Sequence, residues 1–261
     1  MIIAQITDTH IKRKGRLLHH IVNTAKHLRK AIRLLNAMEP RPDVVLATGD
    51  LVEDGKRKEY KRLRSILAEL TIPLYVIPGN HDRREAFREA FADHVYLPPN
   101  GPLHYVVDDY PVRLIGLDTT VEDHAGGVMD AVRLNWLNEQ LAPAPDTPTL
   151  IFMHHPPFQT GIPMLDNLGF HGRDEFGAIV ERHPQIERIV CGHIHRSMQV
   201  RWHGTIASTA ASTAFQFVLE LRDRDRIGIG RERPGFALHV WDGNQLVSHD
   251  CITAYTSKRY L

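Results

Sequence analysis

The apolar positions of the chain fall into two alternating rhythms. Short continuous apolar runs at residues 2–6, 44–47, 74–77, 150–153 and 188–191 have the length of buried strands and end in glycine or polar residues. Between them, apolar residues recur at helical spacing. Ile21, Ala25, Leu28, Ile32, Leu35 and Met38 line one face, and Pro40 and Pro42 end that helix. Tyr60, Leu63, Ile66, Leu67 and Leu70 line a second. A short helix is expected at 84–91, another behind Asp130 as N-cap with Leu134, Leu137 and Leu141 inward, and one more at 173–182. Residues 103–107 and 112–117 read as strands joined by the turn Asp108-Asp109-Tyr110-Pro111. After Met198 the pattern becomes strand-like at 198–202, 215–221, 236–241 and 245–252.

Alternating strands and helices imply a mainly parallel sheet with helices packed against it. The strand-rich final part adds a second sheet. The expected fold is therefore α/β, a four-layer α/β/β/α sandwich of two mixed sheets flanked by helices. Residues 1–200 would form the core. Residues 201–261 would complete the second sheet and serve as a cap or an oligomer contact.

Composition narrows the function classes. Hydrophobic content of 43% and charged content of 24% belong to a soluble globular protein. Lys+Arg 32 against Asp+Glu 31 leaves a formal charge of +1, which lacks the global basic field of nucleic-acid binders. No apolar run reaches membrane-spanning length. Two cysteines, Cys191 and Cys251, are too few for a disulfide framework and suggest a reducing compartment. The first strand follows Met1 directly, so no cleavable leader is expected. These features together point to the cytoplasm. The 17 histidines raise the prospect of metal chemistry.

Five apolar runs each end in potential ligands: Asp8-Thr9-His10, Gly49-Asp50, Gly79-Asn80-His81-Asp82, His154-His155-Pro156-Pro157 and Gly192-His193-Ile194-His195. One aspartate after a strand is ordinarily a cap. Five such endings converge, because loops at the carboxyl ends of parallel strands gather in one crevice. Residues two apart in extended backbone share a side, so each Asp-x-His or His-x-His pair can serve one site or two adjacent ions. Carboxylate, imidazole and amide without thiolate suit Zn, Fe, Mn or Co. Seven donors exceed one tetrahedral ion and suit two ions about 3.5–4 Å apart. In the central stretch, Asn80, His81 and Asp82 read as a metal ligand, a proton donor and an orienting acid.

This ordered series resembles the calcineurin-like metallophosphoesterase superfamily, and within it the bacterial class III cyclic-nucleotide phosphodiesterases and glycerophosphodiesterases. The resemblance covers Asp8 to His195. It implies a first metal held by Asp8, His10, Asp50 and His195, and a second by Asp50 (bridging), Asn80, His154 and His193. The ions would be divalent or mixed-valence. His81 and Asp50 would be catalytic, and Asn80, His81 and His195 would contact substrate. The implied reaction is hydrolysis of a small phosphodiester, a cyclic nucleotide or a glycerophosphodiester, by metal-bound hydroxide. A phosphomonoesterase or broad phosphoesterase is the alternative enzyme, and a non-catalytic metal-binding interaction module the alternative of another class. A homo-oligomer without nucleic-acid or membrane partners is expected. The sequence differs from Ser/Thr protein phosphatases, which carry Gly-Asn-His-Glu where Asp82 stands here. The segment 158–172, leaving from His154, is long enough for a lid, and no diagnostic motif follows His195.

Overall fold

The computed structural model describes residues 1–253. Its elements alternate as the apolar pattern predicts. The first half contains β1 (Ile2–Ile6), α1 (Thr24–Asn36), β2 (Val44–Thr48), α2 (Arg57–Leu67), β3 (Leu74–Ile77) and α3 (Arg84–Ala90). Next come β4 (Tyr105–Val107), β5 (Arg113–Leu117), β6 (Gly127–Val128), α4 (Ala131–Leu141) and β7 (Thr149–Met153). The series continues with α5 (Pro163–Asp166), β8 (Phe170–His171), α6 (Arg173–Arg182), β9 (Ile186–Cys191), β10 (Met198–Trp202), β11 (Thr205–Thr209), β12 (Gly235–Trp241) and β13 (Leu246–Ile252).

Two mixed sheets stack face to face. The first has the order β13-β12-β1-β2-β3, and the second β10-β11-β9-β7-β5-β4. Strands β1, β2 and β3 run parallel, as do β5, β7, β9 and β11; the pairings β1–β12, β12–β13, β10–β11 and β4–β5 are antiparallel. Three apolar layers hold the stack together. Leu28, Ile32 and Leu35 of α1 and Leu63 and Ile66 of α2 pack on the outer face of the first sheet. Leu137, Leu141, Phe176 and Val180 of α4 and α6 cover the second. Ile3, Leu46, Leu150, Phe152 and Val190 meet between the sheets. The architecture is the α/β/β/α sandwich.

Several local expectations are corrected. Helix α1 starts at Thr24, where Asn23 accepts the Lys26 amide as N-cap, and Ile21 lies outside the helix, 72% exposed. Residues 215–221 form no strand. Only an isolated bridge joins Phe217 to Ile229, and on the opposite edge of this segment the carbonyls of Phe215 and Phe217 accept from the side chains of His195 and Arg196. Strand β11 was not expected, and it makes a hairpin with β10. The expectation that residues 201–261 complete the second sheet holds only for β11. Strands β12 and β13 extend the first sheet, since β12 finds its partner in β1, and residues 254–261 of that span lie outside the described residues. The segment 158–172 is not a bare loop: it carries α5, and β8 pairs with β6.

Candidate metal centre

The strand ends expected to converge do so at the seam between the sheets. The first sheet brings Asp8 and His10 after β1, Asp50 after β2, and Asn80 and His81 after β3. The second brings His154 after β7 and His193 and His195 after β9. Four overlapping groups result: Asp8, His10 and His195; Asp8, Asp50 and His154; His154, His155 and His193; and His10, Glu53 and His81. Within each, the potential ligand atoms lie within 4.8 Å of one another.

Tight turns make this convergence possible. Asp8, His10, Asp50, His193 and His195 all have positive φ, between 42° and 71°. A side-chain-bearing residue reaches that region at a cost, and such strain collects at functional sites. Glycines let the backbones close in. A Cβ on Gly79 would strike the amide and carboxylate of Asp50, and one on Gly192 would strike Thr7 Oγ1.

His154, His195 and His10 are oriented from behind. His154 Nδ1 lies 2.8 Å from Thr48 O, and His195 Nδ1 lies 2.9 Å from Phe215 O. A carbonyl only accepts, so both Nδ1 atoms donate and both Nε2 atoms face inward, where a cation can replace a proton. His10 Nδ1 is held by Glu53 Oε2 at 2.7 Å, and its Nε2 faces His195 Nε2 at 3.0 Å. Asp50 Oδ2 stands between the halves, 3.7 Å from His10 Nε2 and 3.4 Å from His154 Nε2. Asn80 Oδ1 is 3.1 Å from His154 Nε2. His195 Nε2 is 3.3 Å from Asp8 Oδ1, and both Asp8 oxygens accept the His193 amide.

The two carboxylates are buried, and no lysine or arginine bonds to either among the described residues. Burial would raise both acids, yet the surrounding imidazoles hold both below the usual range. His195 acts first on Asp8, and His154 first on Asp50. Burial would lower His154, but Asp50 lifts it to about 9. His193 is pushed down to about 3 by burial and then by His154. Inward-facing imidazole nitrogens around buried, arginine-free carboxylates are the donor set of a divalent cation site, and the residues present fit such a group.

His81 stands at the open side. Its amide donates to Asp50 Oδ1 at 2.9 Å, and its Nδ1 donates to Glu53 O at 2.8 Å. Its side chain is 38% exposed, unlike the buried His10 and His154. Asp82 organises the turn beneath, accepting from the amides of Gly79, Leu51 and Val52 and from the Tyr60 hydroxyl. His155 has Nδ1 on Thr119 Oγ1 at 2.8 Å, and its Nε2 is buried without a hydrogen-bond partner. Sequence reading missed Glu53, which sits three residues after Asp50 in what looked like a charged surface loop. It also missed Phe215, whose ring lies 4.3 Å from that of His195.

The Calcineurin-like phosphoesterase family model matches residues 1–197. The chain belongs to this family. Among its relatives, a probable glycerophosphodiester phosphodiesterase GpdQ of Arcobacter nitrofigilis is 38% identical over 261 residues, covering 99% of this chain and 94% of the relative. A probable cyclic nucleotide phosphodiesterase of Rhodopseudomonas palustris is 32% identical over 254 residues, covering 96% and 92%. In fold, the chain is similar to a dimetal phosphatase from Danio rerio, with TM-score 0.68 at 14% identity over 97% of this chain and 96% of that one. This calcineurin-like phosphoesterase has no helix long and apolar enough to cross a membrane among its described residues.

Proposed function

We propose that the chain is a dinuclear-metal phosphodiesterase acting on small phosphodiesters, of the glycerophosphodiester or cyclic-nucleotide class. One observation carries the reading. The Nε2 atoms of His10 and His195 face each other at 3.0 Å beside the buried Asp8 and Asp50, an arrangement of lone pairs and negative charge that calls for cations. The names of the relatives support the diester class.

Asp8, His10, Asp50 and His195 would hold one ion, and Asp50, Asn80, His154 and His193 the other, with Asp50 shared. Zn, Fe, Mn or Co suits these donors. The ions would supply Lewis acidity toward the phosphoryl oxygens and a water whose pKa falls from 15.7 to about 7. The chain's own part begins with His81. Asp50 fixes its backbone and Glu53 O its Nδ1, so its Nε2 is left free for substrate. Burial would lower its pKa, but Asp50 raises it above the ordinary value, which favours the protonated donor. As the P–O bond breaks, His81 hands that proton to the leaving oxygen while a water oxygen bonds to phosphorus. Asn80 and His195 flank the same space and contact the diester.

The room for the alcohol lies on the His10 side. A groove of about 1220 Å³ there is lined by Lys12, Arg13, Arg16 and His19 beside Glu53 and Asp54; Lys12 is paired with Asp54, which leaves Arg13 and Arg16 to meet an anionic ester. The segment 158–172 lies instead against His155 and His193. The cytoplasm and a homo-oligomeric state belong to the same proposal; the exposed Val200 and Val247 on the edge strands β10 and β13 favour the latter.

The test is a substrate panel after metal reconstitution, comparing cyclic AMP, glycerophosphodiesters and aryl mono- and diesters. Diesters should turn over fastest, chelation should abolish turnover, and Mn, Co or Zn should restore it. Exclusive monoester cleavage, full turnover by verified metal-free protein, or inertness of the reconstituted protein toward every ester would each overturn the proposal.

A further inference from the structure

The layer between the sheets changes character along its width. Toward β2, β3, β5 and β7 it is apolar. Toward the edge formed by β10 and β13, the inward positions become Gln5 on β1, Arg188 on β9, Ser208 on β11 and His239 on β12. They surround a cavity of about 350 Å³ that opens past Ser197 and Asp250.

Arg188 is the anomaly. It is 6% exposed, and its Nε and Nη1 atoms are buried without any hydrogen-bond partner. A buried charge is costly unless paired. The rim carboxylate, Asp250, accepts at Oδ1 from the Ser197 hydroxyl instead. The remaining polar groups do not neutralise the guanidinium either. Gln5 spends its amide on Thr48 Oγ1 and Cys191 O and accepts from His239 Nε2, while His239 Nδ1 is bonded to Ser248 Oγ.

We propose that this cavity is an oxyanion site, separate from the metal centre, in which Arg188 and the Ser208 hydroxyl hold a small tetrahedral anion such as inorganic phosphate or sulfate. The anion supplies the negative charge and the acceptor oxygens that the chain does not. A guanidinium suits this ligand because its planar donors match the oxygens of phosphate and sulfate. The surroundings agree. Burial lowers the Arg188 guanidinium with no carboxylate to offset it, and burial with Arg188 behind it pushes His239 down to about 3. An anion in the cavity relieves both. Its entry is open at the Ser197 and Asp250 rim, so exchange with solvent needs no unfolding.

The test uses the holoenzyme and reads its melting temperature in inorganic phosphate, and separately in sulfate, against chloride at equal ionic strength. At about a hundredfold excess over Kd, either anion should raise the wild-type Tm by about 5 °C. Arg188→Met should lose that rise while keeping metal content and kcat, and should melt no lower than wild type in chloride, because an uncompensated buried cation has been removed. Phosphate bound at the metal centre would stabilise both proteins alike, so the difference between them isolates the cavity. If Arg188→Met does not fold, Ser208→Leu, which narrows the cavity and leaves the guanidinium, carries the same comparison. Equal rises in wild type and variant, or no rise in wild type with either anion, would overturn the site. So would an Asp250→Asn protein whose Tm in chloride falls as far as that of an enzyme losing a buried ion pair, since Asp250 would then be the missing partner.

Discussion

Asp50 and Asp118 stand at the tips of β2 and β5, and the two tips use the same residue for different ends. Both side chains are buried. Asp118 is satisfied by the chain itself. Its oxygens lie 2.7 and 3.1 Å from Nε and Nη2 of Arg84, and it accepts from the amides of Leu103 and Thr120 and the Thr120 hydroxyl. Burial would raise this acid, but Arg84 brings it down to about 2. Asp50 has the amide of His81 and a ring of imidazoles, and no arginine. A buried carboxylate with its own cation is a structural brace. One ringed by imidazoles, with no lysine or arginine beside it, is built for a cation that comes from outside.

That contrast breaks most visibly at Asp50. Asp50→Ala should drop bound metal from two ions per chain toward none and bring turnover of every ester to background, as measured by elemental analysis and the substrate panel. A variant that kept both ions would make the β2 tip as structural as the β5 tip. The adjacent pair His154 and His155 sharpens the point one strand further on. His154→Ala should lose an ion. His155→Ala should keep both, because it is the Nε2 of His154 that lies against the shared Asp50, 3.4 Å from its Oδ2. The reverse pattern of metal contents would exchange the two assignments.

His81 comes next in size. A general acid matters most when the leaving alkoxide is a poor one, so His81→Ala should lower kcat by about 10²–10⁴ on alkyl or ribose diesters. On nitrophenyl esters, whose leaving group departs unaided, the loss should be much smaller, with metal content unchanged. Equal losses on both would mean that His81 binds phosphoryl oxygens without transferring a proton. Loss of metal would place it in the His10–Glu53 group as a ligand.

The sequence showed much of this site because its signals are local. An apolar run fixes the strand, a glycine near its end permits the turn, and the polar residue at the tip can reach the crevice. The candidate ligands were legible for that reason. Asp118 also ended a strand, yet nothing in the spacing of 112–117 announced that Arg84, 34 positions earlier, would neutralise it. Glu53 escaped for the same reason. Its bond to His10 spans 43 positions, and a glutamate in a charged loop looks solvated until the fold buries it. The carboxyl-terminal strands failed differently. The pattern of 236–241 shows a strand but not which sheet recruits it, and only pairing with β1 decides that. In 215–221 the alternation was genuine, but the pairing stops at one bridge, and side chains take the carbonyls on the other edge.

The smallest effect on catalysis should come from the β5 tip, where the whole consequence falls on stability. Asp118→Asn keeps the shape and most of the hydrogen-bonding capacity but leaves Arg84 facing a neutral amide. Breaking a buried ion pair from one side costs about 3–5 kcal/mol, and the partial exposure of Arg84, 23% for its side chain, places this case toward about 3. The pH dependence has a definite sign. Asp118 titrates at about 2 in the fold against an ordinary 3.8, so its contribution is fully present above about pH 4 and is lost as pH falls from there toward 2. A depression of that size corresponds to about 2 kcal/mol. In urea unfolding at pH 7 the variant should therefore lie below wild type by about 3 kcal/mol, and the gap should narrow as the pH is lowered through that window. Metal content and kcat per folded molecule should not move. A variant that lost metal in proportion to its stability would show that the brace at β5 and the cation site at β2 are one unit.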